Sequence, residues 1–243
     1  MLVDNKFVFV KIPKNASTSV QTSLLIHKIN VYSGDDFIDK ENKESIKIIE
    51  TTENYSDVKN YHQHTSYLYN LFPRDKYPYV AIHRDSTERF ISGFKHLLSF
   101  INNGKIKNLR VDFNSLDENN IIEYFKPVFQ KISSKIEMDE SYYKIVKEYF
   151  CGDDNEIQKT NILPLVKNLQ SQYFWEIHKC DYVFNFNNLG EFEKFVNKEL
   201  NKDFKLVHLN STNTTNSILK KTDKLDEFVY KYIDSPFLEK KLL

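Results

Sequence analysis

Two short apolar runs, "KFVFVKI" at 6–12 and "YPYVAIHR" at 77–84, constrain this chain more than anything else in it. Each is β-branched, aromatic and nearly unbroken, which suits a strand of a parallel sheet buried on both faces. Each also runs straight into a helical pattern. After the first, Ser17 to Ile29 set Val20, Leu24, Leu25 and His27 near one face of a helix. After the second, "DSTERFISGFKHLLSFI" spaces Phe90, Phe94, Leu97 and Leu98 the same way. "DYVFNF" (181–186) reads as a third buried strand, with a helix from about Leu189 to Leu200, and "IKIIE" (46–50) and "FKLVHLN" (204–210) as further strands. Strand and helix in alternation predict an α/β fold, a P-loop-like three-layer sandwich with a mainly parallel central sheet flanked by helices.

At 243 residues the chain is expected to form a single domain, 1–243, carrying a polar, mostly helical insertion at about 103–160. Its 40% hydrophobic residues are enough for a core. With 34 basic and 34 acidic residues the net charge is zero, which gives no general attraction to nucleic acid. The basic residues are unevenly dealt, however. Only four are arginine, and Arg74, Arg84 and Arg89 fall close together. Arginine is the residue for forked contacts with phosphate or carboxylate. Two cysteines, Cys151 and Cys180, make neither a disulfide framework nor a structural zinc site. No apolar stretch is long enough to span a bilayer and no signal peptide fits the start, so the expectation is a chain without an integral membrane segment.

Ligands on parallel sheets sit where strand ends meet helix N-termini, and both "KIPKNASTSV" (11–20) and the segment 84–92 fall there. Amides from Asn15 to Ser19, through Ala16, at the start of a helix can form an anion nest without glycine. Ser17, Thr18 and Ser19 add hydroxyls, and Lys14 adds a positive charge. The pattern is not GxxxxGK[ST], so the magnesium-binding hydroxyl of an ordinary nucleotide loop is missing. The plain alternative is a Ser/Thr-rich helix start beside a solvated lysine. Arg84 ends the second strand, and Ser92 follows two helical turns on. Together they read as a second phosphate grip, against the plain alternative of Arg84 paired with Asp85 or Glu88.

"KIPKNASTS" together with "HRDSTERFISGF" resembles the sulfotransferases that use 3′-phosphoadenosine 5′-phosphosulfate (PAPS), most nearly the carbohydrate enzymes of the heparan sulfate 2-O-sulfotransferase type. The resemblance implies that the loop holds the 5′-phosphosulfate and the Arg84–Ser92 pair the 3′-phosphate. It covers roughly 6–98, with vaguer support from "DYVFNFNNL" and the polar loop "LNSTNTTN". Asn15 stands where threonine is common, and Ser86 where proline is usual.

"YHQH" sets His62 and His64 on one face of an extended segment, ahead of a helix that Thr65 is placed to cap. The resemblance makes His62 the base and His64 a contact to acceptor or transition state, with Lys14 stabilising charge on the leaving oxygen. A neutral imidazole that takes the acceptor's proton contributes about 10²–10⁴ in rate. Two rivals for the histidines are a zinc site completed by His83 and ordinary surface positions. The expected activity is in-line transfer of a sulfuryl group to a hydroxyl of a carbohydrate or glycolipid acceptor, without a metal. The alternatives are a P-loop-type nucleotide kinase and a non-catalytic nucleotide-binding relative. Lacking the membrane anchor and stem of the family's animal members, the chain is expected in the cytoplasm of a bacterium or in a viral setting.

Overall fold

A computed structural model describes residues 1–32, 65–106, 109–132, 140–151, 162, 165–207 and 219–239. The expected strand at 46–50, His62, His64 and the polar loop 211–216 lie outside the described residues. In chain order the elements are β1 (Leu2–Val3), β2 (Phe7–Phe9), α1 (Ser17–Ile26), β3 (Val31–Tyr32), α2 (Thr65–Leu71), β4 (Tyr79–His83), α3 (Ser86–Asn102), α4 (Glu118–Ile132), α5 (Glu140–Phe150), β5 (Tyr182–Asn185), α6 (Leu189–Leu200), α7 (Asp223–Val229) and α8 (Ser235–Glu239). They fall into two compact units, 1–84 with 175–211 and 85–174 with 212–243.

The first unit is α/β, with a five-stranded mixed sheet ordered β3-β1-β2-β4-β5. Only β2, β4 and β5 are parallel; β1 pairs antiparallel with both β2 and β3. The antiparallel edge comes from a tight hairpin. Asp4 and Asn5 take φ of 47° and 54°, and Lys6 N–H closes onto the Val3 carbonyl at 2.8 Å. Positive φ at both central residues is a conformation that short Asp and Asn side chains tolerate best, and Asp4, Asn5 and Lys6 together link the paired residues Val3 and Phe7. Phe7, Phe9, Val80 and Ile82 share a core with Val20 and Leu24 of α1 and Phe192 and Val196 of α6. The alternate residues of the same strands, Val8, Tyr79 and Ala81, are also buried, and Tyr69 of α2 packs its ring on Tyr79 at 4.6 Å. Burial on both faces is why these strands read as unbroken apolar runs.

Four expectations for this unit fail. The run at 181–186 supplies the last strand of the sheet among the described residues, with Tyr182 and Val183 each 48% exposed rather than buried. Residues 204–207 form no strand, because side chains take their amides. Phe204 donates to Asn197 Oδ1, Lys205 to His27 Nε2, Leu206 to Glu193 Oε1 and Val207 to Ser23 Oγ. Leu25, placed on the core face of the first helix by its spacing, is 59% exposed. The helix ends at Ile26, earlier than its apolar pattern.

The second unit is helical, and the segment read as a polar insertion supplies much of its core. Ile121, Phe125, Val128 and Phe129 of α4 and Phe150 of α5 pack with Phe90 and Phe94 of α3 and Phe228 of α7. Gly93 lets the segment at Asn168 approach α3, since a Cβ there would stand 2.8 Å from the Asn168 carbonyl oxygen. Asp85 caps α3 by accepting from Glu88 N–H at 2.9 Å and pairs with Lys221 at 2.7 Å. Against the upward pull of its burial, those bonds hold the Asp85 carboxyl below its ordinary range. Among the described residues no helix is long and apolar enough to cross a membrane.

Candidate functional site

The loop between β2 and α1 answers how a glycine-free turn can bend sharply. Lys14 and Ala16 both take left-handed backbone, φ 65° and 61°, with Asn15 between them. This is the alternation by which successive amides curl into an anion-binding nest. Ala16 is the residue before α1 and has no side-chain oxygen to cap it. The first helical bond runs from Val20 N–H to the Ala16 carbonyl at 3.0 Å, so the amides of Ser17, Thr18 and Ser19 stand ahead of it at the positive end of the helix. Of the three hydroxyl residues, Ser17 is buried, Thr18 exposed and Ser19 half-buried. The Ser19 carbonyl accepts from Ser23 Oγ at 2.7 Å.

Holding L-residues in that conformation costs about 1–2 kcal/mol each, so something must impose it. Two contacts to β4 do. Asn15, 1% exposed, donates from Nδ2 to the Ile82 carbonyl at 2.7 Å. Arg84, just past the end of β4, donates from Nη1 to the Lys14 carbonyl at 3.1 Å. Asn15 makes a contact that its sequence position did not suggest. Its side chain is a strut between loop and sheet, and its amide closes onto the Ile12 carbonyl at 3.3 Å. Arg84 is likewise drawn to the loop backbone, and its guanidinium carbon lies 4.3 Å from the centroid of the Phe186 ring.

The other expected site residues fall as follows. Ser92 is half-buried on α3, in the second unit, whereas Lys14, the loop and Arg84 belong to the first. His83, the third member of the zinc alternative, is half-buried at the end of β4. His62 and His64 lie outside the described residues, but the residues that follow them are firmly held. Thr65 does not cap its helix from outside: it is the first residue of α2, fully buried, and its hydroxyl donates to the carbonyls of Trp175 and Glu176 at 3.0 and 3.1 Å. The Ser66 amide donates to Glu176 Oε2 at 2.7 Å, and Lys179 donates to Ser66 Oγ and Glu176 Oε1 at 2.5 Å. Against the upward pull of its burial, these partners keep the Glu176 carboxyl below its ordinary range. Trp175 itself is buried and its carbonyl is the anchor, a role no motif announced.

Sequence reasoning missed Phe186 as well. The signal was present: an aromatic residue just past one strand run, and an arginine just past another. The chain matches no family model, and no curated protein or solved structure matches it.

Proposed function

We propose that this chain is a PAPS-dependent sulfotransferase that moves a sulfuryl group to a hydroxyl of a carbohydrate acceptor, with the P-loop-like layering that such an activity implies. One observation carries the reading: Lys14 and Ala16 hold a left-handed nest at the start of α1, and the Arg84 guanidinium lies against that same nest. Strained backbone persists where a site requires it. The residues suit a donor with two anionic groups. Amides of Ser17 to Ser19 and the Lys14 ammonium meet one; the Arg84 guanidinium, a planar fork whose geometry matches phosphate, meets the second. Both groups of the donor hang from one ribose, so an arginine in contact with the loop fits better than one far from it.

The donor supplies an activated sulfuryl group, and the rest falls to this chain. His62 takes the acceptor's proton as the hydroxyl attacks, and Lys14 with the loop amides stabilises charge on the departing oxygen. His64 orients the acceptor. A nucleotide kinase needs a carboxylate free to hold magnesium near the strand ends, whereas β4 runs through His83 and Arg84 into Asp85, whose carboxylate already accepts from Glu88 N–H and pairs with Lys221, and β5 ends at Asn185. Asp181 precedes β5 and sits at the opposite end of that strand, held by Tyr79 N–H at 2.8 Å and Arg74 at 2.9 Å.

The test is thermal denaturation with 3′-phosphoadenosine 5′-phosphate (PAP), the desulfated product, against ATP with magnesium. PAP is expected to raise Tm clearly, since a ligand at 100 times its Kd stabilises by about 2.7 kcal/mol. Stabilisation by ATP with magnesium alone sinks the reading. Arg84→Ala is expected to abolish the PAP shift. His62→Ala is expected to keep PAP binding and lose turnover, and full turnover in that variant removes His62 as base.

A further inference from the structure

The sheet register brings a residue to Arg84 that none of the motifs contains. β4 and β5 run parallel with His83 opposite Asn185, so one step beyond the paired strands Arg84 and Phe186 follow in the same register. Phe186 is set there by local structure. Asn185 Oδ1 accepts from Asn187 N–H at 2.8 Å, opening the short 3₁₀ turn Phe186–Asn188. The ring is half-buried, and the Arg84 guanidinium carbon stands 4.3 Å over its centroid while Nη1 reaches the Lys14 carbonyl.

We propose that Phe186 is the positioning residue of the anion loop: its ring fixes the plane of the Arg84 guanidinium, and through Arg84 the left-handed backbone at Lys14. An arginine side chain is long and rotamer-rich, so each contact at its tip narrows the orientations open to it. A ring centroid 4.3 Å from the guanidinium carbon narrows them further and costs no hydrogen bond, because all five N–H donors lie in the guanidinium plane. The guanidinium edge that carries Nη1 is directed at the Lys14 carbonyl, and the same rim serves the anion. A lysine in place of Arg84 would gain little from the ring's flatness, so the pairing also explains why the loop uses one of the chain's four arginines.

The nucleotide arm of the test rests on the function proposed above; the spectroscopic arm does not. Arg84 Nε–H and the Lys14, Asn15 and Ala16 amides are followed by ¹⁵N-resolved NMR in the ligand-free full chain, and PAP affinity is measured by calorimetry. Phe186→Leu is expected to release the Arg84 proton from its ring-current shift, to displace the three loop amides, and to weaken PAP about 3- to 30-fold. Phe186→Met gives the same comparison should the leucine variant not fold. Phe186→Tyr keeps an aromatic face and is expected to stay within about twofold of the parent. Unmoved Arg84 and loop signals in Phe186→Leu overturn the proposal, as does equal damage from leucine and tyrosine. If PAP fails to bind the parent chain, the sulfate-donor reading falls, and the NMR arm alone decides the role of Phe186.

Discussion

Between β1 and β2, Asp4 and Asn5 take left-handed backbone; between β2 and α1, Lys14 and Ala16 do. The first turn uses residues that tolerate positive φ: Lys6 N–H closes onto Val3, and Asn30 ties Asp4 twice, accepting its N–H at 2.8 Å and donating from Nδ2 to its Oδ1 at 3.0 Å. The second uses residues that resist it and is held from outside by a buried asparagine and an arginine, both tied to or rooted at β4. Both turns have distant partners; in one the residues favour the conformation, and in the other the tertiary fold imposes it on residues that do not. Strain that the surroundings maintain, where Asp, Asn or Gly would relieve it, marks the second turn as the one with a task.

Substitutions can break or sharpen that contrast. The largest effect is expected from Asn15→Ala, which removes the strut and leaves the buried Ile82 carbonyl without that donor. Chemical denaturation should show a loss of about 1–3 kcal/mol, and a negligible loss would mean the loop holds itself. Ala16→Gly should act in the opposite direction. It removes a left-handed penalty of about 1–2 kcal/mol and adds back about 0.5–1 kcal/mol of backbone entropy. A net gain of up to about 1.5 kcal/mol is expected in the same assay, and destabilisation would deny that Ala16 is strained. Smallest is Asn5→Gly in the hairpin, expected within about 0.5 kcal/mol of the parent, because asparagine already meets that turn's demand. A gain there as large as at Ala16 would erase the difference between the turns.

The same contrast explains what could be read from the sequence. β4, α3 and α6 were legible because burial on both faces, or on one helical stripe, writes itself into apolar periodicity. The hairpin was legible in principle, through "DN" between "LV" and "KFVFV". The left-handed loop was located by its hydroxyls and lysine, but its conformation was not, since no glycine announces positive φ there. The exposure of Tyr182 and Val183 was hidden because an apolar run does not say how far its neighbours cover it. The strap at 204–207 looked like a strand because its pattern is one; acceptors from Asn197, His27, Glu193 and Ser23 claimed its amides instead. The work of Asn15, Thr65 and Phe186 depends on partners some 67 to 110 positions away, or on a neighbouring strand, and no local pattern encodes those.

Each compact unit contains one cysteine outside any disulfide, Cys180 in the first and Cys151 in the second. Burial pushes the Cys180 thiol up to about 12, and Cys151 is 2% accessible. Alkylating reagents attack the thiolate, so at neutral pH both sulfurs stay silent while their surroundings are intact. Replacing one and keeping the other leaves a chain with a single covalent clock. Its labelling rate times the opening of the loop-bearing unit or of the helical unit separately.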